Sequence, residues 1–81
     1  MTTPDEIRHK LMDLVQQRGS SKTICPSEVA RHLGGEIWRV LMPTVRGVGT
    51  QLVDEGKIVT LQKGNLVDPR QAKGPIRYRL P

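Results

Sequence analysis

Apolar residues recur at helical spacing through the first two thirds of the chain and alternate with polar ones in the last third. Ile7, Leu11, Leu14 and Val15 share one helical face. Thr3-Pro4-Asp5-Glu6 supplies a capping oxygen, a proline at the first helical position and a glutamate three residues after the cap. Gly19 is placed to end the element, so the pattern predicts a first helix over about 4–18. Ser20-Ser21 reads as a polar turn, and Lys22-Thr23-Ile24 as a short extended piece.

A residue before proline is pushed out of the α region, which makes Cys25 the last non-helical residue and Pro26 the first helical one. Ser27 is the competing cap. Val29, Ala30 and Leu33 give this second helix a narrow apolar face, ended by Gly34-Gly35. From Trp38, the positions Leu41, Met42, Val45, Val48, Gly49 and Leu52 keep helical phase across Pro43. Because proline cannot donate its backbone hydrogen bond, a break at Met42-Pro43 is expected, with a short third helix near 36–41 and a fourth from Pro43 to Glu55.

After Gly56 the period changes to two. Lys57-Ile58-Val59-Thr60-Leu61 reads as a strand, Gln62-Lys63-Gly64-Asn65 as a turn, and Leu66-Val67 as the return of a hairpin closed off by Asp68-Pro69. Pro75 to Leu80 alternates, so Ile76, Tyr78 and Leu80 face one way while Arg77 and Arg79 face the other. The sum is one α+β domain over residues 1–81, with three to four helices and a small antiparallel sheet. Helices followed by a C-terminal basic hairpin, with an extended piece after helix one, is the order of a winged helix-turn-helix. The connection between helix two and the helix after Pro43 is longer than such a motif usually has.

Charge adds direction to this picture. The chain of 81 residues has a net charge of +5, yet residues 1–56 balance their cations and carboxylates. The whole surplus follows Gly56, on Lys57, Lys63, Arg70, Lys73, Arg77 and Arg79 against Asp68. That asymmetry points to a polyanionic partner met by the last third; a basic tail kept for solubility is the competing explanation.

The chain also resembles a family of small bacterial proteins with a winged-helix fold, catalogued as a domain of unknown function. The resemblance is carried by KTICPSEVAR, WRVLMPTVR, LVDEGKI, QKGNLVDP and GPIRYRL, and covers nearly the whole length. It implies the winged-helix fold and supplies no activity, ligand or target. At Gly47 and Gly49 this chain has glycine where the resemblance leads one to expect alanine-like residues.

The candidate binding residues follow from these elements. On the fourth helix, Thr44, Arg46, Gly47, Thr50 and Gln51 project outward, and side chains of these types suit base edges or phosphates in a major groove. They are equally at home on a solvated helix face. In the wing, Lys63 at the hairpin tip, Arg70 and Lys73 in the next loop, and Arg77 and Arg79 on one strand face are spaced to meet successive phosphates. Gly49 is expected to pack closely on helix two. Trp38 and Tyr78 are expected in the core, with the tyrosine hydroxyl near the rim.

One cysteine and two distant histidines cannot build a four-ligand zinc site, and no cofactor motif is present. Cys25 serves a helix start rather than a catalytic thiol in this reading, so an enzyme is not expected. No apolar run approaches the ~20 residues of a membrane span, which leads to the expectation of a cytoplasmic protein. The expected partner is duplex DNA, with the fourth helix in a groove and the basic wing on the phosphate backbone. The alternative is a protein partner, an acidic surface on which the basic hairpin docks.

Overall fold

The computed structural model describes residues 2–81. Three α-helices lead into a small antiparallel sheet: α1 (Pro4–Arg18), α2 (Pro26–Gly34), a single 3-10 turn (Gly35–Ile37), α3 (Trp38–Asp54), then β1 (Val59–Gln62), β2 (Asn65–Leu66) and β3 (Arg77–Arg79). The strands lie in the order β2-β1-β3.

Helix α1 begins where its cap dictates. Thr3 is extended, and its Oγ1 accepts from the Glu6 backbone N–H at 3.2 Å. Ile7, Leu11 and Val15, on one face, are fully buried. Helix α2 begins at Pro26 with Cys25 as its cap. The Glu28 carboxylate turns back to accept the Cys25 N–H at 2.7 Å, and the Glu28 N–H donates to the Cys25 carbonyl at 2.9 Å, so the turn is closed without a side-chain capping oxygen. Ser27 is not the cap; its hydroxyl donates to the Cys25 sulfur at 3.1 Å.

Pro43 does not break α3. The helix runs unbroken through it, so the short third helix near 36–41 and a separate fourth helix from Pro43 do not exist as distinct elements. Pro43 lies in the second turn, on an exposed stripe with Arg39, Val40, Thr44 and Gly47. Its ring and the carbonyl it leaves free therefore face solvent, where water can satisfy the acceptor. The consequence is a connection of only three residues, Gly35–Ile37, between α2 and α3, entered through Gly35 at φ +54°.

The sheet closes the core from the other side. Lys63 and Gly64 both have positive φ, 53° and 82°, and make the two-residue turn between β1 and β2. The chain then leaves in a loop, where Asp68 accepts the Arg70 backbone N–H at 2.9 Å, and returns as β3 beside β1. On its free edge β3 takes up Ile24: Tyr78 and Ile24 exchange both backbone hydrogen bonds at 2.8 Å. The extended piece between the first two helices thus becomes a one-residue bridge that ties the sheet to the helical half. Ile76 and Tyr78 are buried, Leu80 half-buried and Arg77 exposed, as the alternation requires.

Tyr78 is the largest fully buried side chain, and it explains one of the two unusual glycines. A Cβ at Gly49 would overlap the Tyr78 ring and hydroxyl. Gly49 therefore leaves room for Tyr78 of the sheet, a partner not anticipated from the sequence. The hydroxyl is not at the rim; it is buried with no hydrogen-bond partner. Gly47 differs, since a Cβ there would meet nothing. Trp38 is half-buried, its ring covered by the guanidinium groups of Arg31 and Arg39 at 4.4 and 4.5 Å from the centroid.

Two glycines two residues apart should respond oppositely to alanine. Gly49→Ala is expected to lower stability in urea unfolding by about 1–3 kcal/mol through overpacking. Gly47→Ala is expected to raise it by about 0.5–1 kcal/mol, because helix propensity is the only quantity that changes.

Candidate nucleic-acid interface

The ten sequence-predicted binding residues do not form one surface. Thr44, Gly47 and Gln51 lie on the exposed stripe of α3 that starts at Val40. Thr50 is half-buried, and its hydroxyl donates to the Arg46 carbonyl at 3.0 Å, one helical turn back. Arg46 itself points toward the sheet half of the molecule, donating Nη2 to the Gly74 carbonyl at 2.7 Å. The outward stripe of α3 is therefore neutral from Val40 to Gln51, and the helix's one central cation borders it on the side of the sheet.

In the last third, two cations are spent on local carboxylates. Arg70 grips Asp54 at the end of α3 with both terminal nitrogens, at 2.9 and 2.5 Å. This hydrogen-bonded pairing holds the Asp54 carboxyl below its ordinary value and raises the guanidinium of Arg70. Lys57 lies 3.9 Å from Glu55, which Arg8 also engages. Ion pairing among the described residues does not extend to Lys63, Lys73, Arg77, Arg79 or Arg46.

Of these, Lys63, Lys73 and Arg77 converge. They line an open cleft of about 470 Å³ whose inner wall includes Cys25, Gln62 and Ile76. Gln62 fixes the loop that carries Lys73: its Nε2 donates to the Lys73 and Pro75 carbonyls at 2.5 and 3.0 Å. Arg77 is held by the opposite edge, through Nε to the Thr23 hydroxyl at 2.5 Å and Nη2 to the Thr23 carbonyl at 3.3 Å. Arg46 stands at the adjoining end of the cleft beside Gly74 and Pro75. Arg79 is turned elsewhere, toward the Ser20 and Leu80 carbonyls. Arg46, Lys63, Lys73 and Arg77 are the cluster; Arg70 and Arg79 are outside it.

Thr23 anchors this cluster through a small polar network that no spacing in the chain announces. Arg18 donates to the Thr23 carbonyl at 2.8 Å and to Glu28 at 2.6 Å, and Glu28 in turn holds Cys25. Partial burial pushes the Glu28 carboxyl up, but the Cys25 N–H and the Arg18 guanidinium outweigh it and hold the group below its ordinary 4.5. Arg77 adds to that field. Behind the cluster, burial pushes the Tyr78 phenol up to about 12, against the opposing charge of Arg46. No spacing rule links residues 18, 23, 28 and 77; only the Ile24–Tyr78 bridge brings them into register.

Among families, the chain matches the model of DUF3253, described as a protein of unknown function, over residues 4–81, and it belongs to that family. No curated protein matches it. Within the described residues, no helix is long and apolar enough to cross a membrane.

The Glu28 network carries a pH signature. A carboxyl held low in the folded state stabilises fully above its unfolded value and loses that contribution as pH falls through the folded one. Glu28→Ala is therefore expected to cost about 1–2 kcal/mol at pH 7, with the difference from the parent shrinking below pH 4.5. Urea titrations at pH 7 and pH 3 check this, and an undiminished difference at the lower pH contradicts the assignment.

Proposed function

We propose that this domain is a winged helix-turn-helix module that binds duplex DNA, with the exposed stripe of α3 in the major groove and the wing cluster on the adjacent phosphates. The observation that carries the reading is the convergence of Arg46, Lys63, Lys73 and Arg77, none of them ion-paired, along the flank of an exposed neutral helix face. The three-residue connection between α2 and α3, containing a glycine, has the length of a helix-turn-helix. The sheet with its tight Lys63-Gly64 tip takes the place of the wing.

In this arrangement the two surfaces divide the work. Phosphate contacts position a protein on the duplex, and base edges are read in the groove. Between Val40 and Gln51 on this stripe, Thr44 and Gln51 are the side chains with hydrogen-bonding groups to do the reading, while Val40 offers an apolar contact of the kind a thymine methyl accepts. Gly47, whose Cβ would meet nothing within the chain, leaves the helix backbone open to close approach. Arg46 acts from the wing side and holds the loop, which moves it from the reading group to the positioning group.

Lys63 supports the same assignment. A non-glycine residue in the left-handed region costs about 1 kcal/mol, and asparagine would suit the turn better. A lysine there places a charge at the turn of the hairpin. Arg70, neutralised by Asp54, contributes nothing in this scheme.

The reading predicts a specific pattern in titrations of labelled duplex DNA across a salt series. Binding is expected to weaken with log salt, with a slope of about 0.9 per phosphate contacted. Lys63→Asn, Lys73→Gln and Arg77→Gln should each lower affinity evenly across sequences and reduce the slope by about one contact. Arg70→Gln should change neither. Gln51→Ala should change the preference among sequences selected from random duplexes. Absence of binding to any duplex at low salt would rule the proposal out and favour an acidic protein as the partner of the same cluster.

A further inference from the structure

The cationic cleft does not end at Ile76. It continues past Pro75 into a second cleft of about 350 Å³, formed by Pro26, Met42, Arg46 and Gly74, and Cys25, Pro75 and Ile76 border both. The two lobes are chemically unlike. The first presents Lys63, Lys73 and Arg77 without ion-pair partners. The second is walled by proline, methionine and isoleucine side chains from the start of α2, the middle of α3 and the wing loop.

A phosphodiester backbone matches the charge of the first lobe and leaves the apolar second lobe unmatched. Both volumes lie in the range of small-molecule sites, which combine apolar walls with a few placed polar groups. From this pairing we infer that the joined clefts bind a small amphiphilic organic anion. Its carboxylate or phosphate head lies among Lys63, Lys73 and Arg77, and its short apolar body against Pro26, Met42 and Ile76. The inference does not rest on DNA binding. It does bear on it, because the same cations serve both anions and because the Arg46 to Gly74 hydrogen bond, which ties the wing loop to α3, borders the second lobe.

The test uses the full chain and octanoate as the probe, with acetate as the head alone and 1-octanol as the body alone, at constant ionic strength. Saturable amide shifts in heteronuclear NMR are expected at Cys25, Gly74 and Ile76 with octanoate. Acetate and 1-octanol should leave these amides in place at the same concentration. Lys63→Asn combined with Lys73→Gln should weaken octanoate binding about tenfold, the loss expected for removing charge-assisted contacts. Met42→Ser should weaken octanoate binding as well. Octanoate should also slow alkylation of Cys25 by iodoacetamide, the thiol being half-buried between the lobes. Shifts that do not saturate, that acetate reproduces, or that survive the double lysine variant would overturn the inference. If octanoate is inert while a duplex shifts the same amides, the cleft is a phosphate site only and the nucleic-acid proposal stands without it.

Discussion

Docking of the sheet on the helices depends on one buried tyrosine. Tyr78 fills the space that the missing Cβ of Gly49 leaves open; its backbone exchanges both hydrogen bonds with Ile24 ahead of α2, and it stands opposite Thr60 of β1. A three-stranded sheet with strands of two to four residues has too little area of its own to persist in water. Burying the ring against α3 supplies the apolar contact, and the Ile24 bridge fixes the register. The unpartnered hydroxyl is a cost, of the order of a lost hydrogen bond, accepted in exchange for that packing.

The candidate site is a by-product of this docking. Bringing Tyr78 over Gly49 puts Gly74 within reach of Arg46, and bringing Ile24 beside β3 puts Thr23 under Arg77. Each cation of the cluster is thereby aimed by a neutral hydrogen bond or left free, and none is cancelled by a carboxylate. The acidic residues that might have cancelled them are occupied elsewhere: Asp54 with Arg70, Glu55 with Arg8 and Lys57, Glu28 with Arg18. With these carboxylates already paired, the cluster's cations have no ion-pair partner of their own, and Glu28, held by Arg18, is the carboxylate whose field Arg77 shares.

Ile37 and Val40 are 65% and 72% exposed, at the junction of the 3-10 turn and α3. They adjoin the stack of Arg31, Trp38 and Arg39, in which the half-buried indole packs against the core and is covered by cations. This end of α3 is stabilised by cation–π contact.

Much of the fold was legible in the sequence. The Thr3 cap, Pro26 after Cys25, the glycines at the helix ends and the alternation from Ile76 to Leu80 each act within a few residues, so they could be read in order along the chain. Pro43 misled because its cost depends on where the freed carbonyl points, and only the packed helix decides that it points to water. The net positive charge of the last third was equally plain, but its arrangement was not. Arg70 and Arg77 look alike in sequence, yet one is neutralised by Asp54 and the other is unpaired at a cleft, because ion pairing is decided by contacts between residues far apart in the chain. Local backbone chemistry belongs to the sequence; which charges remain free, and what they surround, was settled only when the sheet closed on α3.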